Sequence, residues 1–398
     1  MTNLPPIKPK QPLAIIINSM VGGGAERVTS ILLDQLKDQY EIHLLIGNNI
    51  IEYDLPQEQK IYLFNFLQHK KGYFFKFLKI PFHAYECLQY FKKHNIEISL
   101  SFLNRPNFIN CILKLYNWKG KVMISERQAP SKEYRKSIFK NLIGGNLIRL
   151  LYRKADLIIP NANGITTDLK NNFGLNKANF RVINNPINIE KIRTDLRLIE
   201  KRAATTFTFI NIARLEKQKD HNTLLRAFAK LSYLDCQLVL LGKGSLEQEI
   251  KTTITELGLS DKVKLIGFSD KPFEYLKNAD CFILSSDYEG FPNVVLEALA
   301  CSLPVIATDC RTGPREILAP ESDFNKEIKS EIEIGRYGLL TPVANVDKMA
   351  EAMTLLYTDT QLRKQFREDA FSRAKDFDLS NIIEQFRQVV SINKDVSK

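Results

Sequence analysis

The chain switches repeatedly between two periodicities, and it runs through the alternation twice. Short β-branched apolar runs are separated by longer stretches whose apolar residues recur at helical spacing. "LAIIIN" (13–18) reads as a buried strand, and "GAERVTSILLDQLKDQ" (24–39) as a helix with Val28, Ile31, Leu32 and Leu36 on its apolar face. "EIHLLIG" (41–47), "IEISLSFLN" (96–104) and "KVMISE" (121–126) read as further strands. Strands alternating with amphipathic helices predict a parallel, doubly wound sheet. The pattern then restarts: "TFTFINIAR" (206–214) is a strand, "DHNTLLRAFAKL" (220–231) a helix, "CQLVLLGKG" (236–244) a strand, and "SLEQEIKTTITELGL" (245–259) a helix opened by a serine cap. "VKLIGF", "DCFILSS" and "LPVIATD" follow as strands. Between the halves, the polar stretch 184–206 reads as a linker. The expected fold is α/β: two Rossmann-like domains of about 150–200 residues each, facing a cleft, with ligands beyond the carboxyl ends of the strands.

Composition narrows the partners. At 44% hydrophobic and 25% charged, the chain has the makeup of a soluble globular protein with an ample core. Its start, "MTNLPPIKPKQP", lacks the apolar run of a signal peptide. No stretch approaches the roughly 20 apolar residues of a spanning helix, so a cytoplasmic location is expected. The six cysteines are scattered without a CxxC pair, and the five histidines form no HExxH. No metal and no cofactor are therefore expected. The net charge of +11 favours polyanions: nucleic acid, an anionic membrane or phosphorylated substrates.

Three strand-to-helix loops carry candidate chemistry. In "NSMVGGGAERV" (18–28), Gly22 to Gly24 would let the backbone approach a phosphate or sugar. This is no dinucleotide fingerprint, because Arg27 stands where a small residue is required. A tight turn alone would read the same way. In "ARLEKQKDH" (213–221), Arg214 ends a strand and Lys219 precedes a helix; two cations there suit a diphosphate, as they would a solvated charge run. In "DYEGFPNVVLEALA" (287–300), Glu289 lies in the loop, Pro292 at a helix first turn, and Glu297 within an apolar helix. Buried carboxylates need partners. Helix-entry charges that suit the dipole would explain Glu289 tolerably and Glu297 less well; a ligand with hydroxyls for the carboxylates and a diphosphate for the cations is a description that a nucleotide sugar meets.

These residues are familiar as a set. "SSDYEGFPNVVLEALACSLPVIATDCRTGPREIL" resembles the donor-site signature of retaining glycosyltransferases of family 4, and "GGGAERV", "ISERQ" (124–128), "INNPI" (183–187) and "ARLEKQKD" fall in that family's order. The resemblance spans nearly the whole chain. It implies the GT-B fold, with an acceptor domain over 1–190, a donor domain over 191–378 and a C-terminal helix, 379–398, returning to the first domain. It implies that Glu289 contacts the donor sugar and Glu297 the ribose. Arg214 and Lys219 would bind the diphosphate and stabilise it as it leaves. Gly290, Phe291, Pro292, Asn293 and Val294 would line the pocket, Ile266 and Gly267 would meet the base, and Gly23 and Gly24 would lie under the phosphates and the acceptor. Both glutamates would be partnered by ligand hydroxyls rather than by protein cations. The implied activity is metal-independent, retaining sugar transfer from a UDP-sugar to a lipid-linked or growing glycan, with the leaving phosphate taking the acceptor's proton.

Two segments are basic and apolar together: "HKKGYFFKFLKIPFHAYECLQYFKKH" (69–94) and "KEYRKSIFKNLIGGNLIRLLYRKAD" (132–156). Such segments lie on anionic membrane surfaces. Peripheral association with the inner face of the cytoplasmic membrane is expected, with Arg127 on the acceptor side. An epimerase or hydrolase of the same fold would need a water-activating group. A membrane- or nucleic-acid-binding module without catalysis would leave the donor motifs unexplained, and nucleic acid is not an expected partner.

Overall fold

The computed structural model describes residues 10–56, 60–63, 78–134, 141–200 and 206–391. They form two compact units, one of Met1–Asn161, Ile165–Ile183 and Ile383–Lys398, the other of Ala162–Gly164 and Asn184–Ile382. Each has its own parallel sheet.

The first sheet contains β1 (Gln11–Ile17), β2 (Tyr40–Ile46), β3 (Lys60–Leu63), β4 (Ile98–Phe102), β5 (Lys121–Glu126) and β6 (Leu157–Pro160), in the order β3-β2-β1-β4-β5-β6. All pairs are parallel; Ile15 lies between Leu44 on one side and Leu100 on the other. The run Leu13–Ile17 is buried throughout, as a central strand covered on both faces must be. The helix Gly24–Leu36 buries Ala25, Val28, Leu32, Leu33 and Leu36, while Ile31 stays half-buried at the edge of its stripe. The basic segments are described only in part: 69–77 and 135–140 lie outside the described residues.

The second sheet contains β7 (Phe207–Ile212), β8 (Cys236–Leu241), β9 (Val263–Gly267), β10 (Cys281–Leu284), β11 (Val305–Thr308), β12 (Glu333–Ile334) and β13 (Leu339–Thr341), in the order β12-β13-β11-β10-β7-β8-β9. Only the short β12–β13 pair is antiparallel. Strand order reverses between β7 and β10, the switch point at whose carboxyl edge open α/β sheets bind ligands.

Two expectations fail in this unit. The supposed linker contains a helix, Ile189–Leu198, with Asn188 as its N-cap accepting from the Lys191 N–H (2.8 Å). Ser245 does not cap the helix after β8, which starts at Glu247; its N–H and hydroxyl both donate to the Glu216 carboxylate (2.9 and 2.8 Å). The charge-assisted bonds to Glu216 draw Ser245 toward the β7 loop, and the chain enters the helix only after it, at Leu246.

Candidate active site

The site is built from the exits of β7, β10 and β11. After β7 the chain makes one turn of 3-10 helix, Lys217–Lys219, and enters the helix His221–Ala229. Asp220 turns that corner at φ +42°, with its carboxylate accepting the Thr223 N–H (3.1 Å). Gly242, after β8, lets the chains approach: a Cβ there would stand 1.8 Å from the Ala213 carbonyl oxygen. Arg214 is exposed near the start of the β7 loop, and Lys219 is partly buried near its end.

The β10 loop is tied to the β7 loop. Ser285 Oγ donates to the Lys219 carbonyl (2.7 Å), the Asp287 N–H to the Gln218 carbonyl (2.8 Å), and Gln218 Nε2 to the Tyr288 carbonyl (2.6 Å). This places Glu289 against Lys219. Lys219 Nζ pairs with Glu289 Oε1, and Ser286 Oγ donates to the same oxygen (2.7 Å). The side chains are 13% and 9% exposed. The expectation that Glu289 avoids protein cations is therefore wrong: a carboxylate this buried would be unpaired without Lys219, and ionised groups do not stay buried alone.

The β11 loop supports Glu289 from the other side. The Thr312 N–H donates to the Glu289 carbonyl (2.9 Å), Thr312 Oγ1 to the Gly290 carbonyl (2.7 Å), and the Glu289 N–H to the Arg311 carbonyl (3.2 Å). Gly313 has φ +96°, and a Cβ on it would lie 2.7 Å from the Gly290 carbonyl oxygen. Just beyond, Arg315 grips buried Asp309 with Nε and Nη2 (3.0 and 2.8 Å) and reaches Glu333 with Nη1 (2.8 Å).

The helix Asn293–Ala300 starts one residue later than predicted. Pro292 is extended, at the N-cap, rather than in the first turn. Asn185 Nδ2 donates to both the Phe291 carbonyl and Asn293 Oδ1 (2.8 and 2.7 Å), which fixes the loop-to-helix junction that also holds Gly290 and Val294. Glu297 is one turn further in, buried among Val295, Leu296, Ala298 and Leu299. At the far side of β8, Ile266 is exposed and Gly267, at φ +81°, accepts the Gly242 N–H (2.8 Å).

The remaining expected residues belong to the first unit. Gly23 is the extended N-cap of the helix that Gly24 opens, and its carbonyl accepts the Tyr53 hydroxyl (3.2 Å). Arg127 is buried with its guanidinium 5.1 Å from the Phe102 ring centroid. Burial pulls its pKa down to about 9 against the opposing charge of Glu126. Glu126 in turn accepts the Tyr152 hydroxyl (2.7 Å).

Sequence reading missed Ser286, Thr312, Gly313 and Asn185. Each acts on backbone or on another side chain, so none announces itself by charge. The Gly-Pro of "RTGPREIL" and the asparagines of "INNPI" were the available signals.

The family model for "Glycosyl transferases group 1" matches residues 192–373, which include the exit loops of β7, β10 and β11. The chain is 36% identical over 368 residues, 92% of its length and 96% of the relative's, to the N-acetylgalactosamine-N,N'-diacetylbacillosaminyl-diphospho-undecaprenol 4-alpha-N-acetylgalactosaminyltransferase of Campylobacter jejuni. It is 31% identical over 364 residues, 84% of its length and 88% of the relative's, to an uncharacterized glycosyltransferase of Methanocaldococcus jannaschii. In fold it is similar to Anabaena HepE, solved in complex with UDP: TM-score 0.74 and 19% identity, covering 95% of this chain and 99% of that one. The chain thus belongs to the group 1 glycosyl transferases, a family 4 glycosyltransferase of bacterial type with the GT-B fold.

Proposed function

We propose that this glycosyltransferase moves a sugar from a UDP-sugar to a lipid-diphosphate-linked glycan, with retention at the anomeric carbon and without a metal. The observation that carries the reading is the meeting of Glu289, Lys219 and Ser286 at the carboxyl edge of the second sheet, with Arg214 on the same loop as Lys219. Arg214 and Lys219 supply fixed positive charge for the departing diphosphate. A preorganised donor to developing charge is worth about 3–4 kcal/mol, or 10²–10³ in rate. Glu289 contacts sugar hydroxyls, Glu297 the ribose, and the start of the helix Asn293–Ala300 adds backbone N–H groups at the phosphates. Ile266 and Gly267 meet the base. Gly23 and Gly24 lie under the phosphates and the acceptor, and Arg127 serves the acceptor side. The departing phosphate oxygen takes the acceptor's proton, so no separate general base is needed. The undecaprenol-linked acceptor in the name of the Campylobacter relative supports the acceptor class. A lipid-linked substrate of that kind supports peripheral association with the inner face of the cytoplasmic membrane.

The test is thermal stability with UDP, GDP, ADP and NAD, in EDTA, on the wild type and Arg214→Ala. Ligand at 100 times its Kd stabilises by about 2.7 kcal/mol. A shift with UDP alone, lost in Arg214→Ala, supports the donor assignment, and Arg214→Ala then also loses about 10²-fold or more in turnover. No shift with any nucleotide, or one seen only with added metal, overturns it.

A further inference from the structure

We infer that Glu289 and the donor's diphosphate compete for Lys219, so that donor binding itself releases the glutamate toward the sugar. This rests on the proposed donor site and deepens it. Lys219 and Glu289 form a buried pair within the protein, though the donor requires each of them separately: the cation for phosphate, the carboxylate for hydroxyls. The ammonium has three N–H donors, but one shared between the carboxylate and a diphosphate holds each less strongly than it would hold either alone. A diphosphate carries more negative charge than one carboxylate and wins the ammonium when it arrives. Glu289 does not then become an isolated charge. Ser286 Oγ already holds its Oε1 at 2.7 Å, and the loop carrying it is fixed by Thr312 on one side and Gln218 on the other. Its other oxygen turns to the sugar hydroxyls. The exchange ties readiness of the sugar subsite to occupancy of the phosphate subsite.

The exchange predicts an inverted effect. Glu289→Gln keeps an acceptor for Ser286 but frees Lys219, so it binds UDP more tightly than the wild type, by about tenfold, the scale of one hydrogen bond to a charged group. With a UDP-sugar its KM falls together with kcat. Removing a negative charge tightens an anion through space as well, and the Lys219→Met background separates the two causes. There the gain from Glu289→Gln vanishes if Lys219 is what was freed. Isothermal titration of UDP into the wild type, both single variants and the double variant reads all four constants, and a melting curve of each shows that it is folded. Equal or weaker UDP binding by Glu289→Gln, or a gain that persists without Lys219, overturns the exchange while leaving the donor site standing. A wild type that binds no UDP overturns the donor site, and the exchange with it.

Discussion

A single buried carboxylate shows how far residue types alone reach. Glu289 and Glu297 look alike in sequence, as do Arg214 and Lys219. Their placement on exit loops follows from strand periodicity, and that much is readable. Which cation meets which carboxylate depends on β7 and β10 being neighbours although two strands separate them along the chain. No local pattern carries that adjacency, so the Lys219–Glu289 pair and the support from Ser286 and Thr312 were invisible. His221 makes a sharper residue-scale case. It opens the helix after the β7 loop, buried, and neither ring nitrogen has a hydrogen-bond partner. Burial, aided by the charge of Lys219, lowers its pKa to about 4. Above pH about 6.5 the imidazole is neutral in both folded and unfolded chains. Below that, the unfolded chain binds a proton that the folded one refuses, so stability is lost as pH falls from about 6.5 toward 4. Between pH 7 and 4.5 this single group is expected to cost the second unit on the order of 2–3 kcal/mol. Urea unfolding of His221→Leu at the two pH values should show a drop smaller by that amount. An equal drop in both proteins would mean that the folded imidazole titrates normally.

At the scale of elements, several helices end in a way that their own sequences do not announce. The helix Ile189–Leu198 has no glycine at its close; Lys277 reaches in from another helix and donates to the Leu196 and Ile199 carbonyls, both at 2.6 Å. The C-terminal helix Leu379–Val390 is closed in the same fashion by Lys121, which donates to the Val389 and Ser391 carbonyls (2.7 and 2.9 Å). Lys262 holds the turn that follows the helix His221–Ala229 in a related way, donating to the Ser232 and Leu234 carbonyls beyond the helix end (2.7 and 2.6 Å). A cation at a helix C-terminus satisfies orphan carbonyls and complements the dipole. Distant lysines in this role explain why the polar stretch 184–206 read as a linker. Only Ile189 and Ile192 of its helix are buried, too few to show a clear apolar stripe, and its terminator stands about eighty residues downstream. Lys277→Met keeps the apolar stem and removes the cap. It should destabilise the second unit by about 1–2 kcal/mol, with faster amide exchange confined to residues near Leu196–Ile199. Uniform exchange across the unit, with unchanged stability, would mean that solvent replaces the lysine at no cost.

The whole molecule carries its excess charge alongside exposed apolar side chains. On the helix Ile80–Lys93, the residues Phe82 and Tyr85 are 61% and 52% exposed, with Lys92 and Lys93 following and exposed Leu78 just before. The same helix buries Ile80, Ala84, Cys87, Leu88 and Phe91 on its inner side. Its outer stripe is therefore not a displaced core face but a second apolar surface that the first unit leaves uncovered. Among the described residues no helix is long and apolar enough to cross a membrane. An uncovered aromatic stripe beside lysines, in a chain of net charge +11, suits the headgroup region of an anionic bilayer: rings enter the interface while lysines meet lipid phosphates. Composition pointed to a polyanion without choosing one, and this geometry favours lipid, because stacked bases require no apolar stripe that can be immersed. The protein is expected to co-sediment with vesicles containing phosphatidylglycerol at low salt and to leave them as the Debye length shortens to a few ångströms near 1 M. Pure phosphatidylcholine vesicles should capture little of it. Replacing Phe82 and Tyr85 together by serine should weaken vesicle binding by about tenfold or more at constant charge, with UDP affinity unchanged, since neither residue lies in the second unit. Binding that ignores lipid charge and salt, or that survives the double substitution, would remove this helix from the membrane contact. Capture by RNA in place of anionic vesicles would return the choice of polyanion to nucleic acid.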